Sequence, residues 1–136
     1  MQKKILIIDD SEYKIQKVQE VLVYRKSKDV ELIVANSYNS GMRKLILEGN
    51  FDGLILDMGF PHFDGEHIKY DETKLGLFVL REMKRKKVDI PVIVYSSDRY
   101  EEVFQYPNVK DYILNGPYDI STQLNQFLDN IQTKEA

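Results

Sequence analysis

The stretch "ILIIDD", residues 5–10, places four apolar residues directly before two aspartates. An apolar run without alternation, rich in isoleucine, is typical of a strand that is buried on both faces of a sheet. Two adjacent carboxylates repel each other at the end of such a strand, so they need either solvent or a cation. The stretch therefore predicts a central strand with an acidic feature at its carboxyl end.

Short apolar runs alternate with amphipathic stretches along the rest of the chain. The predicted strands are residues 4–8, 30–35, 52–57, 91–97 and 109–114. The predicted helices follow Ser11 and cover residues 37–50, 75–87, 98–106 and 119–132. Five strand–helix pairs predict an α/β fold with a parallel sheet that is covered by helices on both faces.

The composition narrows the class of protein. A chain of 136 residues with 43% hydrophobic residues fits a single domain with its own core. The net charge of −3 gives no general attraction for nucleic acid or for an anionic membrane. No cysteine is present, which excludes disulfides and thiol chemistry. The apolar run after "MQKK" is too short for a signal peptide, so we expect a cytoplasmic protein.

Acidic and hydroxyl side chains follow three of the predicted strands. Asp9 and Asp10 follow the first strand, Asp57 ends the third, and Ser96 and Ser97 lie at the end of the fourth. Right-handed crossovers bring the carboxyl ends of parallel strands to one edge, where such sheets bind ligands. Three carboxylates without a basic partner would repel one another, and a hard cation such as Mg²⁺ would relieve this. The plainer alternatives are acids favoured at a helix N-terminus and, for Asp57, a turn residue.

Three segments carry a resemblance to a known family. "KKILIIDDSE", "FDGLILDMGFPHFDG" and "IPVIVYSS" resemble motifs of the receiver domain of two-component response regulators, in the same order and at the same spacing. The resemblance covers nearly the whole chain. It implies a flavodoxin-like, doubly wound, five-stranded parallel sheet of (βα)5 order, forming a single domain over residues 1–136 without an effector domain.

The resemblance also implies a phosphoacceptor and a metal site. Asp57 matches the phosphoacceptor, and Asp10 and Asp57 match the direct ligands of Mg²⁺ (or Mn²⁺). Asp9 matches the acid that holds a water of the metal, and the backbone carbonyl of Gly59 matches the remaining protein ligand. A carboxylate can accept a phosphoryl group as a nucleophile, which agrees with this assignment.

Two further positions match the switch of the family. Ser96 matches the hydroxyl residue that hydrogen-bonds the phosphoryl group, and Tyr112 matches the aromatic residue that turns inward behind it. The alternative for Tyr112 is a surface aromatic.

The pattern departs from the family after the fifth strand. The family has a lysine directly before a proline there, whereas "YILNGPY" places Asn115 at the lysine position and adds Gly116. Asparagine can donate a hydrogen bond but brings no charge. The positive charge that a lysine would place near the phosphoryl oxygens is therefore missing at this position. Arg99, Lys69 and Lys74 are the candidates to replace it from nearby loops.

A second departure is an insertion of 11 residues, 66–76, before the third helix. Both "FDG" at 63–65 and "KLG" at 74–76 resemble the glycine signature that precedes this helix in the family. The insertion is a solvated surface loop or, alternatively, a lid or partner contact. His62 and His67 are expected in exposed loops, and the basic run at 81–87 is expected to be a solvated helix end.

The leading hypothesis is a stand-alone receiver that takes a phosphoryl group on Asp57 from a histidine kinase or phosphotransfer protein and signals to a downstream protein. Its chemistry would be limited to self-catalysed phosphoryl transfer and acyl-phosphate hydrolysis. Neither nucleic acid nor membrane is expected as a partner, whereas a homodimer is compatible with the hypothesis. The alternative is a divergent, phosphorylation-independent receiver that acts as a protein-binding module. An unrelated Mg²⁺-dependent phosphatase on a similar sheet is a third reading.

Overall fold

The computed structural model describes residues 2–69 and 74–132. The strands are β1 (Lys3–Ile8), β2 (Val30–Ala35), β3 (Gly53–Leu56), β4 (Val92–Ser96) and β5 (Val109–Leu114). The α-helices are α1 (Glu12–Tyr24), α2 (Tyr38–Met42), α3 (Leu75–Arg85) and α4 (Ser121–Asn130). A π-helix (Arg43–Glu48) continues α2, and a 3-10 helix (Glu101–Gln105) lies between β4 and β5.

The five strands form one parallel sheet in the order β2-β1-β3-β4-β5. The doubly wound α/β fold predicted from the sequence is therefore confirmed. The order reverses between β1 and β3, which is the position where open α/β sheets bind ligands. Ile8 of β1 is in register with Leu56 of β3, so the residues that follow these two strands lie side by side.

The core has one apolar cluster on each face of the sheet. In β1, Leu6 and Ile8 pack with the cluster under α2 and α3, whereas Ile5 and Ile7 pack with the cluster under α1 and α4. All four side chains are fully buried. This two-sided burial explains why the first strand shows no alternation of apolar and polar residues.

The helix predicted at residues 37–50 is present in two parts. Ser37 begins α2 through a capping box with Ser40, and the chain then widens into the π-helix. Gly49 and Asn50 end it, with φ angles of 67° and 64°. The stop signals were readable from the sequence, whereas the apolar periodicity does not distinguish an α-helix from a π-helix.

The short helix predicted at 98–106 is the 3-10 helix, and Val103 is its buried residue. Within the predicted insertion, residues 66–69 are exposed and α3 begins at Leu75. Residues 70–73 of that insertion lie outside the described part of the chain. Among the described residues no helix is long and apolar enough to cross a membrane.

A buried arginine joins the ends of α1 and α4. Arg25 follows α1, and its guanidinium donates to Asp29 Oδ1 (2.8 Å), to Asp129 Oδ1 (2.6 Å) and to Asn125 Oδ1 (2.8 Å). Only 7% of Arg25 is exposed. The hydrogen bond from Arg25 lowers the pKa of Asp29.

We expect Arg25→Met to lower the free energy of unfolding by about 1–3 kcal/mol, because three acceptors lose a charged donor. Urea unfolding at neutral pH measures this. The pKa of Asp29 is lowered in the folded state, so the stability that its pairing with Arg25 contributes is fully present above the ordinary value of 3.8. This contribution is lost as the pH falls through the lowered pKa, and the difference between wild type and variant should shrink with it.

Arg85→Met is the matched control, because Arg85 pairs with Glu82 on the exposed surface of α3. This variant should lose much less stability than Arg25→Met, because solvent screens an exposed ion pair. Equal losses in the two variants would contradict a clamping role for Arg25.

Candidate functional site

Three carboxylates come together at the carboxyl edge of the sheet. Asp9 and Asp10 follow β1, Asp57 follows β3, and one oxygen of each lies within 4.8 Å of the others. Asp9 and Asp57 are buried, and Asp10 is the most exposed of the three. The convergence follows from the parallel pairing of β1 with β3.

The expectation that these acids lack a basic partner is wrong. Lys14, in the first turn of α1, reaches into the cluster, and its Nζ lies 2.9 Å from Asp9 Oδ2 and 2.9 Å from Asp57 Oδ1. The same Nζ donates to the backbone carbonyl of Tyr95 at 3.0 Å. Only 3% of Lys14 is exposed. The site is therefore three carboxylates with one buried ammonium.

The sequence carried a signal for this lysine. Lys14 precedes Val18 by four residues and Val21 by seven, which places it on the buried stripe of α1. A lysine on an apolar stripe, one turn after two aspartates, has acids within reach of its long side chain.

The surroundings disfavour a high negative charge in this cluster. Burial, followed by the charge of Asp57, raises the pKa of Asp9 to about 7, while Lys14 acts in the opposite direction. Burial is also the main cause of the raised pKa of Asp10. One ammonium does not neutralise three carboxylates, so the site retains an attraction for a further cation.

The loop after Asp57 packs closely against the start of α3. Asp57 Oδ1 also accepts from the backbone N–H of Met58 (2.8 Å), and the N–H of Gly76 donates to the Met58 carbonyl (2.8 Å). A Cβ at Gly76 would lie 2.4 Å from the Asp57 carbonyl oxygen. Of the two glycine signatures, "KLG" is thus the one that contacts the aspartate backbone. Gly59 lies half-buried in the same loop.

The other end of this loop is attached to α2. The N–H groups of Tyr38 and Asn39 donate to the carbonyls of Pro61 and His62 at 2.8 Å each. The hydroxyl of Ser40 donates to Asp64 Oδ1 at 2.9 Å. The ring of His62 packs on Tyr38, and His67 is exposed, as expected of a loop residue. Gly65 has a φ of 82° in this loop.

Ser96 and Tyr112 lie next to each other, in β4 and β5. Both are buried, and the Ser96 hydroxyl is near enough to the Tyr112 hydroxyl to lower its pKa. The Tyr112 hydroxyl also donates to the carbonyl of Asp98 and accepts from the N–H of Tyr100 at 3.0 Å. Burial raises the pKa of Tyr112, and the hydrogen bonds from Tyr100 and Ser96 act against this rise. Tyr112 is therefore an inward, anchored side chain rather than a surface aromatic.

Asn115 does not contact Asp57. Its N–H donates to the Ser96 carbonyl at 2.8 Å, and its Oδ1 accepts from the Tyr95 hydroxyl at 3.3 Å. The Asn115 side chain is thus linked to the acidic cluster through Tyr95, whose carbonyl accepts from Lys14.

The cations proposed from the loops have other partners. Arg99 pairs with Glu101 and lies over the ring of Tyr112. Lys74 pairs with Glu102 and lies over the ring of Tyr100. Lys69 is exposed. Across residues 2–69 and 74–132, the ion pairs of the acidic cluster are those made by Lys14.

Comparison with known proteins places this arrangement in context. The chain matches no protein-family model and no curated protein by sequence. Its structure is similar to the Mn²⁺-bound form of the response regulator Rcp1, with a TM-score of 0.72, 24% identity, and coverage of 98% of this chain and 99% of that one.

Two further structures are similar. The phosphorylated cyanobacterial phytochrome response regulator RcpA has a TM-score of 0.64 and 26% identity, over 94% of this chain and 89% of that one. TrrA from Thermotoga maritima, in complex with Mg²⁺-BeF, has a TM-score of 0.64 and 22% identity, over 94% and 98%. The resemblance seen in the sequence is thereby confirmed at the level of the fold: the chain has the flavodoxin-like fold of response-regulator receiver domains.

We expect Tyr112→Phe to lower the free energy of unfolding by about 1–2 kcal/mol, because the Tyr100 N–H and the Asp98 carbonyl lose their partner. Hydrogen exchange at the Tyr100 amide should accelerate in parallel. Tyr118→Phe is the control, since Tyr118 is 70% exposed, and it should change neither quantity. Unaltered exchange at Tyr100 in Tyr112→Phe would show that the hydroxyl does not anchor this loop.

Proposed function

We propose that this chain accepts a phosphoryl group on Asp57 from a histidine kinase or phosphotransfer protein. As a cytoplasmic phosphoprotein it then signals through contacts with a downstream protein. The observation that carries the proposal is the position of Asp57 at the reversal of strand order, with Asp9 and Asp10 beside it after β1. Ser96 ends the strand on its other side.

The carboxylate of Asp57 has one oxygen engaged and one available. Oδ1 contacts Lys14 Nζ and the Met58 N–H, and no hydrogen bond from the described residues holds Oδ2. Attack by this oxygen on phosphorus forms an acyl phosphate, while the bond from phosphorus to the donor breaks and the donor keeps its electron pair. Water later hydrolyses the acyl phosphate and restores the carboxylate.

The donor set suits a hard divalent cation. Asp9, Asp10 and Asp57 supply carboxylate oxygens, and the Gly59 carbonyl is the proposed backbone ligand for Mg²⁺ or Mn²⁺. Such an ion supplies neutralisation of the charge on the transferring group. The raised pKa values of Asp9 and Asp10 support a site that gains from a cation.

The remaining side chains act on the transferred group. The hydroxyl of Ser96 donates to a phosphoryl oxygen and so changes the surroundings of the Tyr112 hydroxyl, which anchors the loop at residues 98–100. Asn115 brings no charge to the lysine position, and Lys14 is the ammonium that touches Asp57.

Two observations favour the second candidate, a phosphorylation-independent binding module. The Tyr112 hydroxyl is already anchored inward by the backbone of Asp98 and Tyr100. Asp9 and Asp57 already share a cation. A surface organised in this way needs no phosphoryl group to present one conformation to a partner.

Incubation with Mg²⁺ and acetyl phosphate, followed by intact-mass measurement, tests the proposal. We expect a mass gain of one phosphoryl group in the wild type and none in Asp57→Asn, because the amide is not a nucleophile toward phosphorus. Asp98→Asn is the control, since Asp98 is an exposed acid at the same edge of the sheet, and it should be labelled like the wild type.

The other outcomes discriminate between the candidates. Labelling that persists in Asp57→Asn would place the acceptor elsewhere and contradict the proposal. A folded wild-type protein that is not labelled would favour the phosphorylation-independent module.

A further inference from the structure

Lys14 is held where a lysine is intrinsically disfavoured. It lies in the first turn of α1, whose N-terminal partial charge is positive, and it is almost fully buried. Its ammonium has three N–H donors, and three oxygens accept them: Asp9 Oδ2, Asp57 Oδ1 and the Tyr95 carbonyl. The contacts with the carboxylates offset both the cost of burying the ammonium and its repulsion from the helix N-terminus. The ammonium therefore lies at the centre of the cluster.

The contacts of Lys14 overlap with the metal ligands proposed above. The ammonium uses one oxygen of Asp9 and one of Asp57, at 2.9 Å each. Asp10 makes no ion pair with Lys14, although it belongs to the same cluster. A divalent cation bound to the same oxygens would meet a positive charge at close range, in surroundings that screen charge poorly.

We propose that Lys14 is a tethered cation that occupies the acidic site of the resting protein and competes with divalent metal for Asp9 and Asp57. Metal binding then requires the Lys14 side chain to withdraw from both carboxylates. The inference rests on the metal-binding part of the proposed function and is independent of whether Asp57 is phosphorylated.

The first experiment compares metal affinity. Lys14→Met keeps the length of the apolar stem and removes the ammonium, and Mg²⁺ is titrated into each protein by calorimetry. We expect the variant to bind Mg²⁺ about tenfold more tightly or better, since the metal no longer displaces charged hydrogen bonds. Equal affinity in the variant and the wild type would overturn the proposal.

The matched control is Lys17→Met. Lys17 lies one turn further along α1, and its Nζ donates to the carbonyls of Gly116 (3.0 Å) and Tyr118 (3.3 Å) instead of to a carboxylate. Its Mg²⁺ affinity should equal that of the wild type. An equal gain in Lys17→Met would mean that general charge, and not the tethered ammonium, sets the affinity, and the proposal would fail.

A second measurement uses stability. Lys14→Met leaves the buried acids without a cation, so it should be less stable than the wild type in chelator and should recover with Mg²⁺. The wild type, which carries its own cation, should gain less from Mg²⁺. A variant that is destabilised and not rescued by Mg²⁺ would contradict the proposal.

A third measurement needs no variant. In the wild type, the NMR signal of the Lys14 ε-methylene group should shift as Mg²⁺ saturates the site, because the ammonium leaves its oxygen ligands. An unchanged signal at saturation would overturn the proposal even if Lys14→Met failed to fold. If acetyl phosphate leaves Asp57 unmodified while this signal shifts, phosphoryl transfer fails and the competition stands. If Mg²⁺ binds to neither the wild type nor Lys14→Met, the metal site and this inference fail together.

Discussion

The parallel pairing of β1 with β3 sets the positions of the acids in the site. It places Asp9 next to Asp57 at the edge where the strand order reverses, and both carboxylates are buried there. Burial makes their mutual repulsion strong, so the neighbouring structure has to supply positive charge. Lys14 supplies it from α1, the helix that begins directly after the acids. The same short segment of chain thus carries the acids and the ammonium that neutralises part of their charge.

The fold could be predicted almost completely because strong periodic signals specify it. The runs at 30–35 and 109–114 correspond residue for residue to β2 and β5, and Ser11 caps α1 as its type suggests. The site could be predicted in part, since acids at strand ends meet wherever parallel strands pair. Lys14 was missed because side-chain reach is a three-dimensional property: strand ends point to a common edge, whereas a helical lysine usually lies in solvent.

Asn115, at the position of the missing lysine, and the buried Lys14 are connected through Tyr95. Its hydroxyl donates to Asn115, the residue at the missing lysine's position, and its carbonyl accepts from Lys14. Among the described residues, the ion pairs of Asp9 and Asp57 come from the α1 side, through Lys14. The ammonium next to Asp57 thus comes from α1 and not from the position after the fifth strand. A search for sequence motifs, which scores one position at a time, would record only the missing lysine.

The contact at Gly76 has a mechanical consequence. There is no room for even one methyl group between α3 and the backbone of Asp57, and a hydrogen bond joins Gly76 to Met58. Close-packed contacts of this kind transmit displacement instead of absorbing it. A shift of the Asp57 backbone toward α3 would therefore press on the first turn of that helix. The displacement would be largest at the C-terminal end of α3, so a partner bound to α3 would respond to it without contacting the acids.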